Sequence, residues 1–145
     1  MKTETLFSSA SWEWATPQDL FDELNEEFHF TLDPCANDSN HKCEKYYTKE
    51  QNGLQQDWSG ERVFCNPPYG RGIGDWVRKC FTETYAGKCR VAVMLVHART
   101  DTRWFHDMIL HRAEIRFIKG RIKFGGSNNN APFPSMIVIF RGMGE

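Results

Sequence analysis

Four consecutive residues, Asn66-Pro67-Pro68-Tyr69, carry the clearest chemical signal in this chain. A proline fixes its own φ near about −65° and keeps the preceding residue out of the helical region, so two adjacent prolines stiffen this turn. Asn66 offers a side-chain oxygen and Pro67 a backbone carbonyl oxygen, and both are hydrogen-bond acceptors. A rigid pair of acceptors of this kind can receive both hydrogens of one amino group.

The chemistry that needs such a pair is the use of a ring amine as a nucleophile. An amino group on an aromatic ring reacts weakly because its lone pair is delocalised into the ring. Two acceptors that bind its N–H groups localise the lone pair on nitrogen and direct it at an electrophile. A methyl group attached to a sulfonium is already activated, so little acid–base catalysis is needed before transfer. The alternative interpretation is a rigid turn whose Tyr69 only packs against its neighbours.

The residues around this tetrapeptide predict that it lies at the end of a buried strand. Arg62–Cys65 is a short apolar strand that stops at the prolines, and Gly70 follows the tyrosine. Ile73–Tyr85 has the apolar spacing of an amphipathic helix, and 91–96 is the most apolar run of the chain. Ligands of open α/β sheets bind beyond the carboxyl ends of the strands, where we expect this loop.

The other segments extend the alternation of strands and helices. Thr16 is predicted to cap a helix with Pro17 in its first position, because apolar residues follow at helical spacing. We predict a second helix at 102–111 and further strands at 28–32, 45–48, 114–118, 121–124 and 136–140. The pattern predicts an α/β fold: a mostly parallel sheet with an antiparallel C-terminal edge hairpin.

Composition sets further bounds. A length of 145 residues with 40% hydrophobic and 26% charged residues predicts one globular domain over 1–145, with 1–11 as a flexible arm. Five cysteines without a CxxC pair, no signal peptide and no membrane-spanning run predict a reduced cytoplasmic protein. No convincing metal site is apparent, and none is expected. The oligomeric state cannot be deduced from the sequence.

Charge is divided unevenly along the chain. Residues 1–69 contain 5 Lys and Arg against 13 Asp and Glu, whereas residues 70–145 contain 13 against 6. A polyanion such as DNA could bind a surface built from the second half. A dipolar solvated surface is the alternative, and the sequence alone leaves both open.

Taken in order, the motifs resemble those of the phage-type DNA N6-adenine methyltransferases, which use S-adenosylmethionine. The resemblance runs from Trp14 to Phe140 over six motifs: Trp14-Ala15-Thr16-Pro17, Leu32-Asp33-Pro34-Cys35-Ala36, Asp57-Trp58, Asn66-Pro67-Pro68-Tyr69, Arg99-Thr100-Asp101-Thr102-Arg103-Trp104-Phe105 and Gly120-Arg121-Ile122-Lys123-Phe124. It implies a Rossmann-like methyltransferase fold and methyl transfer to adenine N6 in double-stranded DNA. By analogy, it also implies a part in restriction-modification, in the host cytoplasm if the protein is phage-encoded.

The same resemblance implies roles for individual residues. Asn66, Pro67, Pro68 and Tyr69 would form the catalytic loop, with Tyr69 stacked on a flipped base. Three segments would bind the cofactor: Trp14, Thr16 and Pro17 at its methionine end; Asp33, Pro34, Cys35 and Ala36 around its ammonium group; Asp57 and Trp58 at its adenine. Glu44 and Glu50 are both candidates for the ribose hydroxyls.

The resemblance also suggests where DNA would bind. Arg99, Arg103, Arg121 and Lys123 would contact DNA phosphate or line the base pocket, although each alone is as compatible with a solvated surface cation. No segment of the size of a separate target-recognition domain follows the catalytic loop in this sequence. We therefore expect specificity to come from short loops such as 125–132, to come from a partner, or to be low.

Two rival functions stay open. The same tetrapeptide activates amides of protein glutamine and some RNA amines, so residue chemistry alone does not fix the substrate. A non-catalytic DNA-binding remnant is the other rival. It is suggested by the absence of glycine within four residues after Asp33, where most methyltransferases have a glycine-rich turn.

Overall fold

The computed structural model describes residues 15–125 and 130–145, whose strands form one six-stranded sheet. In chain order the strands are β1 (Leu32–Asp33), β2 (Lys45–Tyr46), β3 (Arg62–Cys65), β4 (Val91–His97), β5 (Glu114–Phe117) and β6 (Ser135–Arg141). Their spatial order is β2-β1-β3-β4-β6-β5. The first four are parallel neighbours, and β6 runs antiparallel to both β4 and β5. The predicted α/β class, with a mostly parallel sheet and an antiparallel edge, is confirmed.

In the described part of the chain, two α-helices and two short helical turns precede or connect these strands. The α-helices are α1 (Gln18–Phe28) and α2 (Ile73–Tyr85), and the turns are a 3₁₀ turn (Gly53–Gln55) and a π-helical turn (Phe105–Ile109). The predicted bounds of β3 and α2 agree with the structure. Over the residues described, no helix combines the length and apolar character that a bilayer crossing requires.

The central strand β4 divides the core into two layers, because successive side chains of a strand point to opposite faces. Val91, Val93 and Leu95 join the apolar cluster under α1, whereas the alternate residues of β4 join the cluster under α2. Every residue from 91 to 96 is fully buried. The predicted central position of this strand is therefore confirmed, and both faces of the sheet are covered.

The start and end of α1 differ from prediction. Pro17, not Thr16, occupies the capping position, and no side chain caps the helix. The helix also continues to Phe28, whose ring is buried, so the predicted strand at 28–32 is wrong and β1 begins at Leu32. His29 closes the helix in the left-handed conformation, with φ 53°. Tertiary burial of Phe28 outweighed its preference for strand.

Three other elements also differ from the predictions. Segment 121–124 is not a strand: Ile122 and Phe124 alternate inward, as in a strand, but they pack on the α1 face of the sheet. The edge of β6 is already paired with β5, so the predicted hairpin between 121–124 and 136–140 is wrong. Within the predicted helix 102–111, Phe105–Ile109 form a π-helical turn, a form often found near functional sites. The strand predicted at 45–48 is limited to Lys45–Tyr46.

Candidate active site

The Asn-Pro-Pro-Tyr segment leaves β3 at the carboxyl edge of the sheet, as predicted. It follows Cys65 directly, between the ends of β1 and β4. Pro67 is buried and Pro68 is exposed. Gly70 ends the turn at φ 125°, a conformation that glycine adopts without the clash a Cβ would cause. The loop is therefore rigid at its two prolines and ends at a glycine, whose backbone can adopt positive φ values.

The amide of Asn66 is fixed by a residue from the other end of the site. Its Nδ2 donates a hydrogen bond of 3.0 Å to Oγ1 of Thr16, which is only 4% exposed. The two heteroatoms of an amide lie on opposite sides of Cγ, so this bond turns Oδ1 away from Thr16. Thr16 is predicted to cap a helix and to bind the cofactor, and in the structure its hydroxyl contacts the amide of Asn66.

Asp33 lies at the end of β1 and is buried. Its carboxylate accepts hydrogen bonds from the backbone N–H of Cys35 at 3.3 Å and of Lys42 at 2.8 Å. Burial raises the pKa of this carboxyl above its ordinary value, while these two N–H groups partly offset the effect. The acid therefore organises the loop that follows β1, in place of the missing glycine turn.

Lys42 lies beside Asp33, and no sequence motif singles it out. Its Nζ donates to Oε1 of Gln18, the first residue of α1, at 2.8 Å. Burial lowers the pKa of Lys42 despite the neighbouring acids Asp33 and Asp22. The positively charged side chain of Lys42 thus lies between the start of α1 and the loop after β1. Only the long-range fold brings these segments together, so no local motif could have revealed it.

The segment after Asp33, residues 34–36, is closely packed against its neighbours. The N–H of Ala36 donates to the carbonyl of Tyr47 at 3.0 Å, and the thiols of Cys35 and Cys65 lie 3.7 Å apart. A Cβ on Gly53 would lie 2.3 Å from the carbonyl oxygen of Pro34. The 3₁₀ turn therefore packs directly against this segment, at Pro34.

Asp57 and Trp58 lie in the loop before β3, and the structure gives them structural contacts. Trp58 is 0% exposed, and its indole N–H donates to the carbonyl of Gly53 at 3.0 Å. Asp57 is exposed and accepts from the N–H and the hydroxyl of Ser59. The buried ring of Trp58 supports a packing role more than the cofactor contact that the resemblance implied.

A polar cleft opens beside β2, with a volume of about 440 Å³. Glu44 lines it, whereas Glu50, the other candidate for the ribose, is not among the lining residues. The hydroxyl of Tyr46 donates to Asp38 on the wall of the cleft at 2.8 Å. Glu44 precedes the amino end of β2, and Glu50 follows its carboxyl end.

An aromatic cluster packs around Tyr69. Its ring stacks on His97, with centroids 4.8 Å apart and planes at 24°, and meets Phe133 edge-on at 5.3 Å. His97 also lies 5.7 Å from Trp104. Burial, aided by the charge of Arg99, lowers the pKa of His97 to about 4, so the imidazole is neutral at neutral pH. His97 was also missed by sequence reasoning, which treated 91–96 only as a core strand.

The four predicted DNA-contacting cations are all exposed. Within 15–125 and 130–145, no ion pair involves Arg99, Arg103, Arg121 or Lys123. Arg121 makes one long contact, 3.5 Å from Nη1 to the carbonyl of Ala131. Their charges therefore face solvent. Trp14, the arm 1–11 and part of the 125–132 loop lie outside the described residues.

This geometry is that of an α/β fold with a proline-stiffened Asn-Pro-Pro-Tyr loop at the carboxyl edge of its sheet, the edge at which open α/β enzymes bind their ligands. Comparison with known families narrows the class further. The family model described as DNA N-6-adenine-methyltransferase (Dam) matches residues 3–145, and the chain belongs to this family.

Individual relatives agree with the family assignment. The chain is 33% identical over 135 residues to the DNA N-6-adenine-methyltransferase of Haemophilus phage HP1, covering 88% of this chain and 77% of that protein. It is 32% identical over 108 residues to the protein of the same name from Escherichia phage T1, covering 73% of this chain but only 44% of the T1 protein. A putative methyltransferase of Escherichia coli K12, YfdM, is 43% identical over 65 residues, which are 39% of this chain and 70% of that protein.

Proposed function

We propose that this protein transfers a methyl group from S-adenosylmethionine to the N6 amino group of adenine in double-stranded DNA. The observation that carries the proposal is the position of Asn66-Pro67-Pro68-Tyr69 at the carboxyl end of β3, with the Asn66 amide bound to Thr16. Membership in the DNA N-6-adenine-methyltransferase family supports the reaction and the use of DNA. We propose a single domain over 1–145 with a Rossmann-like methyltransferase fold.

The residues at the edge of the sheet fit the chemistry of the cofactor. A zwitterionic methionine end needs an acid for its ammonium group and a positive environment for its carboxylate. Asp33 is the buried acid, and Lys42 with the N-terminus of α1 supplies the positive charge. Glu44, which lines the cleft before β2, and Glu50, which follows the carboxyl end of β2, are both candidates for the ribose hydroxyls. Bound there, the cofactor would supply a methyl group already activated by its sulfonium.

The protein then contributes orientation. Oδ1 of Asn66 and the carbonyl oxygen of Pro67 accept the two N–H hydrogens of the adenine amino group, so its lone pair points at the methyl carbon. Tyr69 stacks on the flipped base. With S-adenosylmethionine bound, the amino nitrogen would take the methyl group as the C–S bond of the sulfonium breaks, and the excess proton on nitrogen would be lost to water.

A substrate comparison tests the proposal against its enzymatic rival. Purified protein and radiolabelled S-adenosylmethionine would be incubated in parallel with duplex DNA, with RNA and with glutamine-containing protein. We expect label in DNA alone. Label in RNA or protein but not in DNA would contradict the proposal. Calorimetry with S-adenosylmethionine tests the remnant hypothesis, because a degraded cofactor site would give no binding signal.

Replacement of Thr16 by valine tests the link between the two halves of the site. Valine has nearly the same shape but cannot accept the Asn66 hydrogen bond, so we expect kcat to fall about 3- to 10-fold, the worth of one neutral hydrogen bond. Affinity for S-adenosylmethionine, measured by calorimetry, should change little. Thr16→Ser should restore kcat. A large loss of cofactor affinity with unchanged kcat would instead make Thr16 a cofactor ligand.

Replacement of Arg99 or Arg103 by glutamine tests the DNA surface. If each contacts one phosphate, the slope of log affinity against log salt should become shallower by about 0.9 for each substitution. Lys88→Gln is the matched control, since Lys88 is exposed before the amino end of β4, at the opposite edge of the sheet. Salt slopes equal to that of the wild type would show that these arginines are solvated surface cations.

A further inference from the structure

Two polar residues lie side by side at the carboxyl edge of the sheet, next to the catalytic loop. His97 is the last residue of β4 and Ser135 the first of β6, and the two are direct partners in the antiparallel ladder. Directly opposed side chains lie on the same face of a sheet, within about 5 Å of each other at Cβ. The preceding pairs on that face, Leu95 with Ile137 and Val93 with Ile139, are apolar core.

Both side chains end in a buried polar atom that lacks a partner. Nδ1 of His97 and Oγ of Ser135 are buried, and neither has a hydrogen-bond partner among the residues that the structure describes. Ser135 is 1% exposed. Buried polar groups are nearly always hydrogen-bonded in folded proteins, because leaving one without a partner is unfavourable. Two such atoms on one directly opposed residue pair, or rung, of the ladder indicate a site prepared for a polar ligand.

The position of the pair indicates which ligand. Asn66 continues from Phe64, which faces the same apolar cluster as Leu95, so the catalytic amide and this pair are expected on one face of the sheet. The ring of Tyr69 lies directly against His97, at 4.8 Å. A flat base that binds beside Tyr69 therefore reaches the rung formed by His97 and Ser135. For the base to bind there, the ring of Tyr69 must leave His97 and stack on the base, so that one stacking contact replaces another.

The hydrogen-bond donors of His97 and Ser135 match the acceptors of adenine that Asn66 and Pro67 do not contact. When Asn66 and Pro67 take both amino hydrogens, the base presents only ring-nitrogen acceptors, so its pocket must supply donors. A serine hydroxyl donates one hydrogen, and a neutral imidazole carries one N–H. The lowered pKa of His97, about 4, keeps the ring in this neutral form.

We propose that His97 and Ser135 form the polar wall of the adenine pocket and donate hydrogen bonds to ring nitrogens of the target base. This inference rests on the proposed function and adds to it the residues that would select the methyl acceptor. The pair recognises the heterocycle, whereas Asn66 and Pro67 recognise its amino group.

Ser135→Ala separates recognition from a structural role. Because the hydroxyl is buried without a partner, its removal should leave Tm unchanged or raise it, while kcat/KM for DNA falls roughly 10-fold. His97→Phe keeps a ring against Tyr69 but removes both nitrogens, and we expect a similar loss of activity. His106→Phe is the matched control: His106 is an exposed histidine on the π-helical turn, and its change should leave kcat/KM as in the wild type. A fall in Tm for Ser135→Ala would overturn the proposal.

Modified bases give the decisive comparison. Duplexes carrying a site that the wild type methylates would contain 1-deaza-, 3-deaza- or 7-deazaadenine at the target position, each lacking one ring nitrogen. We expect the wild type to lose about 10-fold in kcat/KM on at least one of them, and Ser135→Ala or His97→Phe to show no additional loss on that analogue. Equal sensitivity of wild type and variants to every analogue would overturn the inference. If the wild type methylates no DNA, the proposed function fails as well. If the wild type methylates DNA, but each analogue lowers kcat/KM equally in wild type and variants, only this inference fails.

Discussion

Asn66→Ala should reduce the rate of methyl transfer by at least about 10²- to 10³-fold, the usual effect of removing one preorganised hydrogen-bonding group that acts in the transition state. The substitution deletes one of the two acceptors proposed to localise the lone pair of the amine. It also removes the neutral hydrogen bond to Thr16, which is worth about 1 kcal/mol. We therefore expect the S-adenosylmethionine affinity and Tm of the variant to stay near those of the wild type. Single-turnover methylation and calorimetry measure the two quantities separately.

Asn66→Asp is the matched control for this prediction. A carboxylate keeps an oxygen acceptor, and the Thr16 hydroxyl can donate to it as readily as it accepts from the amide. Asn66→Asp should therefore retain much more activity than Asn66→Ala. Near-normal turnover by Asn66→Ala would remove this loop from the mechanism, whatever product the wild type makes.

Gly53→Ala should cause the largest loss of stability among the substitutions considered for this site. The new Cβ would lie 2.3 Å from the carbonyl oxygen of Pro34 and 3.0 Å from its Cβ, so the backbone after Asp33 must move. Overpacking of this kind costs about 1–3 kcal/mol, and we expect Tm to fall by several degrees. The same displacement should weaken S-adenosylmethionine binding, because segment 33–36 forms the proposed wall of its methionine site.

Gly74→Ala provides a control with the same chemical change. Gly74 lies in the first turn of α2, and the nearest atom to a new Cβ would be Cβ of Trp104 at 3.8 Å, an ordinary contact. Alanine favours helix over glycine by about 0.5–1 kcal/mol, so Tm should stay constant or rise. A Gly53→Ala variant with unchanged Tm and cofactor affinity would mean that the 3₁₀ turn does not support the segment after Asp33.

The fold was predictable where local pattern and burial agree. Arg62–Cys65 and Ile73–Tyr85 have the bounds that their apolar spacing predicted, because each buries one continuous strand or helix face. The pattern misled at 121–124, where alternating Ile122 and Phe124 pack on a sheet face without joining the ladder. Alternation reports which side chains are buried, whereas strand pairing depends on a free edge, and β5 already occupies that edge of β6.

The site was predictable as far as its chemistry lies in contiguous residues. The Asn-Pro-Pro-Tyr loop could be recognised from its own four residues, and the end of β3 carries it as expected. The Thr16–Asn66 bond, the position of Lys42 and the rung of His97 with Ser135 each join residues far apart in sequence. No spacing rule links such residues, so only the folded chain reveals them.

Product identity is the most direct test of the central claim, that two fixed oxygens make the amino group of adenine attack an activated methyl. Unmethylated duplex DNA would be treated with wild type and S-adenosylmethionine, digested to nucleosides and analysed by mass spectrometry against standards. We expect N6-methyldeoxyadenosine as the methylated nucleoside, and none above background with Asn66→Ala. Methylation of a ring nitrogen or of another base, or equal N6 methylation by Asn66→Ala, would contradict it.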